Sequence, residues 1–201
     1  MELTISHKIT MEIIAENICK RFGNKLVLDG FSHCFRSGIT TAVMGASGCG
    51  KSTLISILMG VLACDSGTVS PRVGEFKRSA VFQEDRLCEN LTVSANIRLV
   101  TGKRLTAAEI SHELEAVGLG GSENKPVREL SGGMKRRVAL LRALLAEYDV
   151  LFLDEPFKGL DAETKQTVMD YTRRKTAERT VILVTHDKDE CSALAAELIT
   201  L

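Results

Sequence analysis

Residues 40–63 read "TTAVMGASGCGKSTLISILMGVLA", and their reading decides the fold. An uncharged run, "TTAVM" (40–44), stops at a glycine and leads into "GASGCGKS", which meets every fixed position of the pattern G-x-x-x-x-G-K-[ST]. Gly45, Gly48 and Gly50 let main-chain N–H groups converge on phosphate oxygens, and a helix starting just beyond adds the partial positive charge of its N-terminus. Leu54, Ile57, Leu58, Val61 and Leu62 then recur on one helical face. Strand, loop and helix in this order open an α/β core that binds phosphate, where a bare glycine-rich turn is the alternative. On that reading Gly45, Ala46, Ser47, Gly48, Cys49 and Gly50 wrap the phosphates of a nucleotide. Lys51 reaches the β and γ phosphates, Ser52 ligates Mg2+, and Thr53 contacts the α phosphate.

Two further short apolar runs, "VLFL" (150–153) and "VILVT" (181–185), suit strands buried on both faces of a mainly parallel sheet. Met134, Val138, Leu141 and Leu145 form a helical stripe between polar segments. The stretch 84–129 carries no strong strand signal and two helical ones. One lies near 93–101, and the other follows "LTAAE", where Thr106 and Glu109 have capping-box spacing ahead of Ile110, Leu114 and Val117. It reads as a helical subdomain inserted into the core. The segment "MEIIAENICKRFGNKLVLDGFSHCF" has β-like runs around an "FGNK" turn, which predicts an antiparallel sheet beside the parallel one. The expectation is one domain over 1–201: an α/β core from 11–83 and 130–201, the helical subdomain 84–129, and residues 1–10 as an extension or over-long start. The three prolines, at 71, 126 and 156, fall where other signals also place loops.

At 201 residues, 44% hydrophobic and 26% charged, the chain can bury a sizeable core as an ordinary globular protein. Its 26 basic and 26 acidic side chains cancel, so no net field argues for nucleic acid or an anionic surface. The six cysteines (19, 34, 49, 64, 88, 191) show no zinc spacing, which predicts free thiols in a reducing cytoplasm. The start lacks the pattern of a secretory signal. The longest uncharged apolar run, "LISILMGVLA" (54–63), is about half of the ~20 residues that span a bilayer, so the chain is not expected to cross one.

"VLFLDEP" (150–156) ends an apolar strand in two carboxylates, at the sheet edge where open α/β folds bind ligands. Alone this is a common solvated strand end. Beside a phosphate loop, Asp154 is placed to hold Mg2+ and Glu155 to orient and polarise an attacking water. His186 closes "VILVT" and reads either as a satisfied structural histidine or as a donor to the terminal phosphate. Gln83, in "VFQE", ends a strand and opens the helical insertion, so it is either a surface polar residue or a contact to Mg2+ or the attacking water that transmits movement to that subdomain. "LSGGMKRR" (130–137) puts Ser131, Gly132 and Gly133 at the N-terminus of an amphipathic helix, with orphan N–H groups that bind oxyanions or serve as a plain cap. One nucleotide's phosphates are already enclosed by 45–53, so a second donor set is best explained by the nucleotide of another subunit.

In this order, "KRF", "GASGCGKST", "FQE", "LSGGMKRR", "VLFLDEP", "KGLD" and "THD" closely resemble the ATP-binding cassette family over residues from about 11 to 201. The resemblance implies an ATP hydrolase using ATP and Mg2+, working as a head-to-tail dimer with two ATP molecules between subunits. It gives Ser131, Gly132 and Gly133 to the partner's γ phosphate, and Asp161 to the loop that couples the two sites. Phe22 matches the aromatic that stacks on adenine, where tyrosine is more usual. Gln83, Glu155 and His186 match active-site positions. "LSGGMKRR" departs from the glutamine-rich form, and Lys135, Arg136 and Arg137 are expected on a solvated face, with Arg137 matching a family arginine.

"VFQEDRL", "LTVSANI" and "RTVILVTHDKDE" look most like importer subunits of the nitrate, sulfonate and taurine group. Ending at "ELITL", the chain is expected to lack a regulatory C-terminal domain and the last short helices. The resemblance implies a homodimer or paired cassette on the cytoplasmic face of the membrane. Separate integral permease subunits would dock on 84–129 with Gln83, a substrate-binding protein would serve them, and nucleic acid would play no part. The competing readings are a soluble cassette in a non-transport role such as iron–sulfur assembly, and a module that binds nucleotide without hydrolysing it; Glu155 and His186 speak against the second.

Overall fold

A computed structural model describes residues 11–72 and 74–201, so the proposed 1–10 extension lies outside the described residues. Strands β1 (Ile13–Phe22) and β2 (Lys25–Phe35) form an antiparallel hairpin whose two-residue turn, Gly23-Asn24, closes the pair Phe22 and Lys25. After β3 (Thr40–Met44) and α1 (Lys51–Leu58), β4 (Ser66–Ser70) adds to the other side of β1, giving a three-stranded antiparallel sheet in the order β2-β1-β4. The second sheet is parallel and five-stranded. Its members are β3, β5 (Arg78–Val81), β6 (Val150–Asp154), β7 (Thr180–Val184) and β8 (Glu197–Thr200), in the order β5-β6-β7-β3-β8. The expected α/β architecture is therefore present, with "TTAVM", "VLFL" and "VILVT" as its three central strands.

Two-residue alternation sorts these strands onto two cores. Val150, Phe152, Ile182 and Val184 face α1 and the antiparallel sheet, with Leu54, Leu58, Ile13 and Ile18 against them. Leu151, Leu153, Val181 and Leu183 face the helices α2 (Val93–Thr101), α3 (Ala107–Ala116), α4 (Gly132–Leu145) and α5 (Ala162–Lys175). Each fully buried side chain of this size contributes about 1.5–3 kcal/mol, and both faces of β6 and β7 gain it. The short α6 (Lys188–Ala193) precedes β8.

The inserted helices fall where the sequence places them. Thr106 and Glu109 make the reciprocal capping box of α3, and Thr92 caps α2 by accepting from Ala95 N–H. Two expectations need correction. Helix α1 ends at Leu58, because Gly60 takes a left-handed φ of 66°, so Val61 leaves the apolar face and is 63% exposed. The basic run of α4 is not a solvated face: Arg136 is buried and Arg137 partly so, since both guanidinium groups satisfy main-chain carbonyls that other segments bring to them. Among the described residues no helix is long and apolar enough to cross a membrane.

Candidate active site

Because β3, β5, β6 and β7 run parallel, their carboxyl ends share one edge of the sheet. At that edge opens a cleft of about 720 Å3. It gathers Gly45, Ser47, Gly48, Gly50, Lys51, Ser52 and Thr53 from the loop after β3, Gln83 from beyond β5, Asp154 and Glu155 from the end of β6, and His186 from beyond β7. Phe22, at the end of β1, stands at its mouth and is 51% exposed. Ala46 and Cys49 belong to the same loop but lie outside this lining; Cys49 Sγ turns toward Gly45, where a Cβ would meet it at 2.7 Å. Strand β5 stops at Val81, two residues before Gln83, which sits in the exposed loop.

The loop's glycines are there for close approach. At Gly50, φ is 111° and a Cβ would press on Val27 at 2.9 Å, so the N-cap of α1 is held against β2. Lys51 Nζ donates to Gly45 O and Ala46 O, both at 2.8 Å. Its ammonium thus sits inside the loop and faces the cleft.

The adjacent carboxylates differ. Asp154 is 6% exposed; burial raises its pKa, and the Ser52 hydroxyl, hydrogen-bonded to it, pulls the other way. Glu155 is shifted down, first by Lys158 and then, against the effect of burial, by His186. Lys158 Nζ makes an ion pair at 2.9 Å with Oε2, which has no aligned hydrogen bond, and His186 Nδ1 is 3.3 Å from Oε1. An ionised carboxylate in the cleft wall, held at one oxygen by a lysine and at the other by a histidine, suits a group that orients water and draws on its proton. Ser52 and Asp154, with the Gln83 amide nearby in the lining, offer hard oxygen donors, which fit Mg2+.

Ser131, Gly132 and Gly133 are not in this cleft. They start α4, with Ser131 and Gly132 exposed and Ser131 Oγ accepting from Met134 N–H at 3.3 Å. Asp161 caps α5 by accepting from Thr164 N–H at 3.0 Å, which holds its carboxyl below the usual range. Sequence reasoning gave no site role to Lys25, Val27, Lys158 or Val184 of the lining; Lys158 opens the quoted "KGLD" and stands three residues from Glu155, which are the signals that could have found it.

Three comparisons bear on this geometry. The family model described as ABC transporter matches residues 28–158. "Aliphatic sulfonates import ATP-binding protein SsuB 1" of Rhodococcus jostii (strain RHA1) is 46% identical over 124 residues, covering 60% of this chain and 49% of that protein. "Aliphatic sulfonates import ATP-binding protein SsuB 2" of Pseudomonas savastanoi pv. phaseolicola is 39% identical over an alignment covering 100% of this chain and 75% of that protein. A "Taurine import ATP-binding protein TauB" of Jannaschia sp. is 36% identical over 62% of this chain and 49% of its own length. The chain thus spans about half the length of the first of the curated relatives it matches. Among solved structures, a dimeric post-hydrolysis state of the ATP-binding cassette MJ0796 bound to ADP and Pi superposes with a TM-score of 0.82 at 25% identity, over 94% of each chain.

Proposed function

The chain belongs to the ABC transporter family, and from that premise we propose that it is the ATP-binding and ATP-hydrolysing subunit of an importer for a small organic anion of the sulfonate or taurine kind. The observation that carries this reading is the single cleft that sets Lys51, Asp154, Glu155 and His186 around one phosphate-binding loop. Phe22 stacks on the adenine, the loop N–H groups and Lys51 hold the phosphates, and Ser52, Asp154 and Gln83 hold Mg2+. Bound Mg2+ would neutralise phosphate charge. Glu155 orients the attacking water and His186 donates to the terminal phosphate.

The exposed start of α4 supports a composite site. Ser131, Gly132 and Gly133 present N–H groups outside the chain's own cleft, and a second cassette, the same chain or a paired one, facing head to tail would receive them on its γ phosphate. Integral permease subunits supply the pore, docking near Gln83 and the helices of 84–129 on the cytoplasmic face, and a substrate-binding protein delivers the anion. The names of the relatives support the importer class and the anion.

The test is MgATP hydrolysis by the purified chain and by Glu155→Gln. The variant is expected to lose about 10²-fold or more in turnover while binding a fluorescent ATP analogue like the parent. Equal turnover would remove Glu155 from its role.

A further inference from the structure

Arg136 lies on the buried side of α4, 4% exposed, five residues into a helix that begins at the exposed Gly132. Every one of its five N–H donors is used. Nε donates to Pro156 O at 3.1 Å; Nη1 donates to Phe82 O at 2.6 Å and to the Asp85 carboxylate at 3.0 Å; Nη2 donates to Asp154 O and Glu155 O, both at 2.6 Å. The planar fork alone makes this pattern possible, because a lysine has three donors on one nitrogen and no fixed plane.

Its acceptors come from two segments that both carry active-site groups. The Phe82 carbonyl belongs to the peptide whose nitrogen is that of Gln83. On the other side is Glu155, whose φ of 46° is left-handed, a conformation that costs a residue with a Cβ. That backbone is gripped from both faces: its N–H donates to Val184 O at 2.9 Å, and its carbonyl accepts from Arg136. Arg142, further along α4, donates to Arg86 O at 3.1 Å, so the far end of the Gln83 loop hangs from the same helix.

We propose that Arg136 is a positioning residue that fixes the main chain at Glu155 and the loop of Gln83 in one arrangement, and so joins both to the helix that begins at Ser131. A displacement of that helix then reaches the water-orienting carboxylate through one side chain. The proposal rests on the reading of the cleft as an ATP-hydrolysing site, but the clamp itself is testable without hydrolysis.

The experiment is hydrogen–deuterium exchange on the full chain, parent against Arg136→Met, Arg136→Lys and Asp85→Asn, with steady-state kinetics on the same preparations. In Arg136→Met, amides of 83–88 and 155–158 should exchange roughly tenfold faster or more, while β1 and β2 exchange as in the parent. Turnover number should fall about tenfold or more with KM for ATP within about twofold, and Arg136→Lys should not restore it. Asp85→Asn keeps all four carbonyl bonds, so it gives the same pattern at smaller amplitude and carries the test if Arg136→Met does not fold. Parental exchange in both segments, uniform loosening of every strand, or loosened segments with unchanged turnover number would each overturn the proposal. A parent chain without ATPase activity would refute the functional reading, and the exchange data would still decide the clamp.

Discussion

His186 Nδ1 lies 3.3 Å from Glu155 Oε1, across the gap between the ends of β7 and β6. The imidazole is 72% exposed and lines the cleft, with this carboxylate as its hydrogen-bond partner, and the proposed function puts the terminal phosphate against it. His186→Ala should therefore lower turnover by about 10²-fold, the usual effect of one lost donor to a developing charge, with little change in ATP affinity. Steady-state kinetics beside equilibrium binding of a labelled nucleotide separates the two. Parental turnover would assign the histidine to structure alone.

Phe22 offers a π-face at the cleft mouth, with Lys20 Nζ 5.7 Å from the ring centroid, and the proposed function stacks the nucleobase on it. Base–aromatic stacking contributes about 1–3 kcal/mol, so Phe22→Ala should raise KM for ATP by roughly tenfold and leave the rate at saturation unchanged. Phe22→Tyr should match the parent. An unaltered KM in the alanine variant would move the base elsewhere.

Lys165 Nζ bridges Asp187 and Glu190, each at 2.6 Å, directly behind His186. The hydrogen bond from Lys165 holds the Asp187 carboxyl below its ordinary range, followed by one from Asp189 N–H. A pKa depressed in the folded state contributes stability that is present above the unfolded value of about 4 and is lost as pH falls through the lower folded value. Asp187→Asn should thus melt below the parent at neutral pH, and the gap should close below about pH 4. Melting curves across this range check the sign; a gap that widens in acid would reverse it.

The parallel core was legible because its information is local. "TTAVM", "VLFL" and "VILVT" are apolar at successive positions, and Thr106 with Glu109 announces a helix start within four residues. Strand β4, "SGTVS", is mostly exposed and exists through its ladder to β1, and β8 is an edge strand with one partner, β3, so neither carries a periodic signal. Helix α5 buries few side chains, among them Val168 and Tyr171, so its apolar stripe is thin and the sequence reading placed no helix there. The phosphate loop, Asp154, Glu155 and His186 were legible as strand endings that a parallel sheet must bring to one edge. Arg136 was not, because a basic triplet reads as solvated until the fold carries the carbonyls of Phe82, Asp154, Glu155 and Pro156 to it. Burial of a charge is decided by distant acceptors, and no local pattern reports them.

The central claim is that the helix start at Ser131 completes the site of a second cassette. It is tested by the ATPase rates of Lys51→Ala, of Ser131→Arg, and of the two mixed in equal amounts. In a head-to-tail pair, a mixed dimer keeps one intact site, made from Lys51 of one copy and Ser131 of the other. Each variant alone should be near background, and the mixture should regain on the order of a quarter of the parental rate. Ser131→Arg turning over like the parent, or a mixture no more active than its components, would contradict the account.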